Sequence, residues 1–258
     1  MASKARTDVL FNQASGGKMA RLMWGFGCMF GKLRANFLYS AAGERGVTPG
    51  RFAKLSFAFA LGLLLAASVA TAARARSWRI IAFGDSLSAG YQLPASAAFP
   101  NVLEAALKAR GIDARVVNAA VSGDTVAGGL ERIDWALSEG ADIVILELGA
   151  NDMLRGHDVA RTQEGLDTLI TAIKTRGARP LLAGMRATPS LGADYAARFD
   201  AIYPALAAKH GLPLYPFFLK GVAGDPALNK PDGLHPTRRG VEVIVAGILP
   251  MVEAMLKE

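Results

Sequence analysis

Residues 142–148, read Asp-Ile-Val-Ile-Leu-Glu-Leu, limit the possible folds of this chain more than any other segment. They form a nearly continuous apolar run rich in β-branched side chains, as expected for a strand covered on both faces. Weaker runs of the same kind stand at 78–83, 115–119, 180–185 and 212–215. Segments with helical spacing lie between them. Residues 97–110 place Ala98, Val102, Ala105 and Leu107 inward. Residues 124–138, capped by Ser122 or Asp124, place Val126, Leu130, Ile133 and Leu137 on one side. Residues 162–176 turn Leu166, Leu169, Ile170 and Ile173 inward, residues 195–210 carry a kink or break at Pro204, and residues 236–256 carry Pro250. Strands separated by single helices require right-handed crossovers and a parallel sheet. The expected fold class is α/β, a three-layer α/β/α sandwich of about five parallel strands spanning residues 76–258.

The charge is divided unevenly. Residues 1–75 carry ten Lys or Arg against two Asp or Glu, whereas residues 76–258 carry nineteen against twenty. The basic character of the whole chain therefore belongs to its first part. The nearly neutral remainder has no Arg/Lys stripe, and nucleic-acid binding is not expected. The single cysteine, Cys28, also lies in the first part. The domain at 76–258 therefore has no disulfide, thiol nucleophile or cysteine metal site.

Residues 55–73 are uncharged and follow Arg51 and Lys54. The small-x-small exits Ala70-Thr71-Ala72 and Ala73-Arg74-Ala75 close the stretch. This is the layout of a secretory signal, and residues 55–75 are read as a signal peptide or a membrane anchor. A buried helix of the fold is a third reading. Residues 1–54 are expected to be a basic extension that is disordered or that precedes the true start. A periplasmic or secreted location follows from a cleaved signal, and an inner-membrane anchored one from an uncleaved leader.

Four segments converge at the carboxyl rim of such a sheet, where open α/β sheets bind their ligands. Ser86 follows the first strand in Gly84-Asp85-Ser86-Leu87-Ser88. Ser122-Gly123-Asp124 follows the second strand and Gly149-Ala150-Asn151-Asp152 the third. Asp232-Gly233-Leu234-His235-Pro236 precedes the last helix. A serine nucleophile needs a base to take its proton, a group to orient that base, and donors for the developing oxyanion. His235 suits the base because Asp232, three residues earlier, can reach its Nδ1–H, and Pro236 suits the first turn of the following helix. On spacing alone, a solvated loop histidine fits equally well. The Ser86 N–H, the Gly123 N–H and the Asn151 amide are candidate donors, while Gly123 also reads as a turn glycine and Asn151 as a helix cap.

The four blocks together resemble those of the GDSL/SGNH hydrolase superfamily. The longer stretches GDSLSAGY, SGDT, ELGANDMLRG and DGLHP are similar to its bacterial arylesterase, multifunctional acyl-CoA thioesterase I and lysophospholipase branch. The resemblance covers residues 78–256 and implies the flavodoxin-like fold of that superfamily. It also implies Ser86 as nucleophile, His235 as base and Asp232 as its orienter, with Ser86, Gly123 and Asn151 forming the oxyanion hole. Met153 and Leu154 are implied as lining for an acyl chain, with residues 186–191 and 217–219 extending the wall. The implied activity is hydrolysis of aryl and acyl esters. Lysophospholipase or acyl-CoA thioesterase activity is the alternative within the class, and a non-catalytic lipid- or carbohydrate-binding module the alternative outside it. The partner is a small-molecule acyl ester, thioester or lysophospholipid, the membrane is met only through an uncleaved leader, and neither cofactor nor metal is expected. Asp85 is expected to stabilise its turn and Asp152 to hold the loop around Asn151. Asp142 and Glu147 are read as structural, His157 and His210 as solvated, and Arg155 as either a surface side chain or a contact for an anionic group.

Overall fold

Five strands, β1 (Trp78–Gly84), β2 (Ala114–Asn118), β3 (Ile143–Glu147), β4 (Arg179–Ala183) and β5 (Leu214–Tyr215), pair in parallel in the order β2-β1-β3-β4-β5. The computed structural model describes residues 77–257, so the expectations for 1–54 and 55–75 lie outside the described residues. No helix among the described residues is long and apolar enough to cross a membrane. The central strands are apolar because both their faces are covered: every residue of β3 is buried. The edge strand β2 alternates instead, and β5, at the other edge, is only two residues long.

The helices are α1 (Ser86–Ala89), α2 (Phe99–Ala109), α3 (Val126–Ala136), α4 (Ala150–Leu154), α5 (Val159–Thr175), α6 (Ala193–Asp200), α7 (Ile202–His210) and α8 (Arg238–Met255), with short 3-10 turns at Ala95–Ala97 and Pro189–Leu191. Helix α2 packs with α8, and α3 packs with α5, which also meets α6 and α7. The sheet between these two layers makes the three-layer sandwich expected from the sequence. The strand order reverses between β1 and β3. The ligand crevice of an open α/β sheet lies at this switch point. Ser86 and Asn151 stand just beyond the ends of those two strands.

Several boundaries differ from the sequence reading, each for a local reason. Helix α3 begins at Val126, and its cap is neither Ser122 nor Asp124 but Thr125, whose Oγ1 accepts from the Gly128 N–H. Asp124 is engaged elsewhere, pairing with Arg132 at 2.7 Å. Helix α5 starts earlier than expected because Asp158 caps it by accepting from the Arg161 N–H. On α2 the inward stripe is Phe99, Leu103 and Leu107, each four residues apart, whereas Ala105 is exposed. The expected break near Pro204 is real. Pro204 has no N–H to give the Asp200 carbonyl, and Ala201 separates α6 from α7. Pro250 is tolerated inside α8. Pro236 does not open α8; Thr237 caps that helix, while Pro236 forms an antiparallel bridge with Asn229. His210 is not solvated: its side chain is 13% exposed and bonds Asp167.

Candidate active site

The loop after β1 is shaped by two carboxyl groups. Asp85 is fully buried and caps α1, its Oδ1 accepting from the Leu87 N–H at 3.0 Å. This matches the turn-stabilising role expected for it. Its other oxygen accepts from Asn151 Nδ2 at 3.1 Å. Beneath it, Glu147 ends β3 opposite Gly84. Glu147 Oε2 accepts from Ser88 Oγ at 2.8 Å and from the Asp85 N–H at 3.3 Å. Burial raises the pKa of Asp85 to about 6. Burial, with the neighbouring Asp85 charge, holds the Glu147 carboxyl well above the usual range.

Ser86 stands at the first position of α1, and the hairpin-like loop before α8 brings His235 to it. His235 Nε2 is 3.0 Å from Ser86 Oγ, and His235 Nδ1 is 2.7 Å from Asp232 Oδ2. Asp232 Oδ1 also accepts the backbone N–H groups of His235 (3.0 Å) and Leu234 (2.9 Å). These bonds, with the one from the imidazole, lower the Asp232 pKa to about 2. An ionised Asp232 favours a proton on Nδ1, which leaves Nε2 free to accept from the serine hydroxyl. The loop is closed at its base by the Lys230 N–H donating to the His235 carbonyl and the Thr237 N–H donating to that of Leu228, each at 2.8 Å.

Asn151 projects from α4, whose N-cap, Gly149, has φ +115°. Only glycine fits there: a Cβ would lie 2.3 Å from the Tyr203 hydroxyl, which donates to the Leu148 carbonyl. Asp152, the next residue, accepts from the Val126 N–H at 2.9 Å and so joins α4 to the start of α3. His157 lies 3.5 Å from the same carboxylate, with its side chain still 44% exposed. Gly123 sits on the loop after β2 with φ +84°. Among the described residues no acceptor engages the Ser86 or Gly123 N–H. Asn151 gives one amide hydrogen to Asp85 and keeps the other.

A cleft of about 600 Å³ opens beside Ser86, and Asn151 and His235 stand on its wall. Met153, Leu154, Met185, Phe217 and Leu219 make much of the remaining lining. Of the segments expected to extend this wall, residues 186–189 take part. Phe218 does not; it is fully buried and packs edge-on against Phe99. Gly123 and Asp232 do not line the cleft. A second cleft of about 480 Å³ includes the start of β4 and the residues just before β5, and gathers neither serine nor cysteine.

Four contributors were not singled out for these parts by sequence reasoning. The Tyr91 ring lies 4.5 Å from the His235 imidazole, tilted by 35°. Lys230 Nζ donates to the Tyr91 carbonyl. Arg155, rather than facing solvent alone, donates to the Gly123 carbonyl at 2.9 Å. Arg132 bonds Asp124, the Ala119 carbonyl and the Gly84 carbonyl, with its guanidinium 3.9 Å above the Phe83 ring. The one available signal was the tyrosine closing GDSLSAGY; long-range arginine contacts leave no local pattern.

Fold and site together define a class, the carboxylic ester hydrolases built on a parallel sheet with the reacting groups at its switch point. The chain belongs to the GDSL-like lipase/acylhydrolase family, whose model matches residues 82–243. It is 41% identical over 167 residues to an arylesterase of Vibrio mimicus, a match covering 64% of this chain and 84% of that one. It is 40% identical over 160 residues to thioesterase 1/protease 1/lysophospholipase L1 of Escherichia coli K12, covering 62% and 76%. The crystal structure of AlinE4, an SGNH-hydrolase family esterase, superposes with a TM-score of 0.60 at 45% identity, covering 71% of this chain and 99% of that one.

Proposed function

We propose that this protein is a serine esterase that hydrolyses aryl and acyl esters through an acyl-enzyme. The observation that carries the reading is the continuous series Ser86 Oγ, His235 and Asp232, linked at 3.0 and 2.7 Å. Ser86 Oγ attacks the ester carbonyl carbon as its proton passes to His235 Nε2. Asp232, ionised throughout the neutral range, steadies the imidazolium. The oxyanion meets the Ser86 N–H, the Gly123 N–H and the free hydrogen of the Asn151 amide. His235 then returns the proton to the leaving alcohol. Water, deprotonated by the same imidazole, attacks the acyl-enzyme and releases the acid. Met153 and Leu154 are the part of the cleft assigned to the acyl chain. Export of residues 76–258 is part of this reading and rests on the basic flank, apolar stretch and small-residue exit of residues 51–75.

Hydrolysis of p-nitrophenyl acetate and of longer acyl esters by the wild type and by Ser86→Ala tests the proposal. Ser86→Ala is expected to lose at least about 10³-fold in kcat, and activity that survives the substitution refutes the mechanism. The name of the Escherichia coli relative includes thioesterase and lysophospholipase. Acyl thioesters and lysophospholipids therefore belong in the same series, and the largest kcat/KM identifies the preferred leaving group.

A further inference from the structure

Glu147 is fully buried and lies beneath the reacting groups without touching them. Its Oε2 holds the Asp85 N–H and the Ser88 hydroxyl, at 3.3 and 2.8 Å. Its Oε1 is buried with no hydrogen-bond partner among the described residues. Gly84 leaves the space that this carboxyl fills. A buried carboxyl with an unpaired oxygen costs stability, so a purely structural role explains it poorly. What it reaches is more informative. Asp85, whose backbone Glu147 anchors, holds the Asn151 amide through its side chain at 3.1 Å.

We infer that Glu147 is a positioning residue for the oxyanion donor Asn151, acting through Asp85. The inference rests on the role of Asn151 proposed above. An amide fixed by one hydrogen bond to Asp85 has a defined plane, and its second hydrogen then points in one direction only. That direction depends on where Asp85 sits, and the anchor of Asp85 is Glu147. Burial and the neighbouring Asp85 charge hold the Glu147 carboxyl well above the usual range, which disfavours a second negative charge beside Asp85.

A double-mutant cycle on the full-length chain tests this, with kcat and KM measured on p-nitrophenyl butyrate. Glu147→Leu is expected to lower kcat about 10- to 100-fold with KM within about twofold, the mark of a misplaced oxyanion donor. Glu147→Gln, whose carbonyl accepts from the same N–H, is expected to restore kcat to within about threefold of wild type. In an Asn151→Ala background Glu147→Leu should cost nothing further, because the group it positions is gone. Wild-type kcat in Glu147→Leu, or losses that multiply in the double variant, overturn the inference. If Glu147→Leu does not fold, Ser88→Ala replaces it, with an expected fall of about threefold that disappears in the Asn151→Ala background; no fall, or a multiplicative one, overturns the inference. Wild-type kcat in Asn151→Ala would instead remove the reading of Asn151, and activity in Ser86→Ala would remove the proposed mechanism itself.

Discussion

A Cβ on Gly84 would lie 2.5 Å from Glu147 Oε2 and 2.7 Å from the Glu147 carbonyl oxygen. The glycine that opens the Gly84-Asp85-Ser86 turn is therefore a packing requirement between β1 and β3, not a response to a left-handed backbone. Because one obstacle is main chain, no rotamer change relieves the clash. Gly84→Ala is expected to destabilise the fold by about 1–3 kcal/mol and to lower kcat/KM at least about tenfold, since Ser86 follows two residues later. Urea unfolding and ester kinetics on one preparation measure both effects.

Arg132 reaches from α3 to the ends of β1 and β2 and pairs with Asp124 beside the Gly123 loop. Arg132→Met keeps an unbranched apolar stem and removes the guanidinium with its charge. Asp124, whose side chain is 12% exposed, would then be left without its partner. The expected loss is on the order of 2–3 kcal/mol. Ester turnover should fall with it as the Gly123 loop loosens. Thermal unfolding at one pH, with kcat at a temperature where the variant is still folded, checks the two parts separately.

Tyr91 packs its ring against the imidazole of His235, and Lys230 holds the Tyr91 carbonyl. Tyr91→Ala is expected to lower kcat about tenfold by freeing the imidazole to rotate, while Tyr91→Phe, which keeps the ring, retains most activity. Equal rates for all three proteins would contradict this role.

The buried carboxyls give stability a definite pH dependence. Asp85 is raised from 3.8 to about 6, and Glu147 well above its ordinary 4.5. For a raised carboxyl the unfolded chain releases its proton first. Its contribution to stability is therefore full below the unfolded pKa and is lost as pH rises through the folded one. Glu147→Gln removes the Glu147 share of that loss. Its Tm relative to wild type is expected to rise by a few degrees as pH increases above the ordinary Glu147 value of 4.5. Calorimetry at several pH values reads this difference, and a constant difference contradicts a raised Glu147 carboxyl.

The layout of this protein was legible because its signals are local. The apolar run at 142–148 and the spacing of Leu166, Leu169, Ile170 and Ile173 both describe burial that the structure reproduces. His235 and Asp232 were readable as a pair because they stand three positions apart in a tight turn. Helix caps are less legible: Asp124 has the chemistry of a cap for α3, but it pairs with Arg132 and Thr125 caps the helix instead. Glu147 looked like the polar end of a strand. Its meaning lies in its contacts with Asp85 and Ser88, about sixty positions away in the sequence, and no periodicity records such contacts.

The most direct test of the central claim is covalent labelling with a fluorophosphonate, followed by peptide mass spectrometry. One equivalent of adduct, mapped to Ser86, is expected to form rapidly in the wild type and at least about 10³-fold more slowly in His235→Ala. An adduct on another residue, or labelling of Ser86 that does not depend on His235, would contradict it.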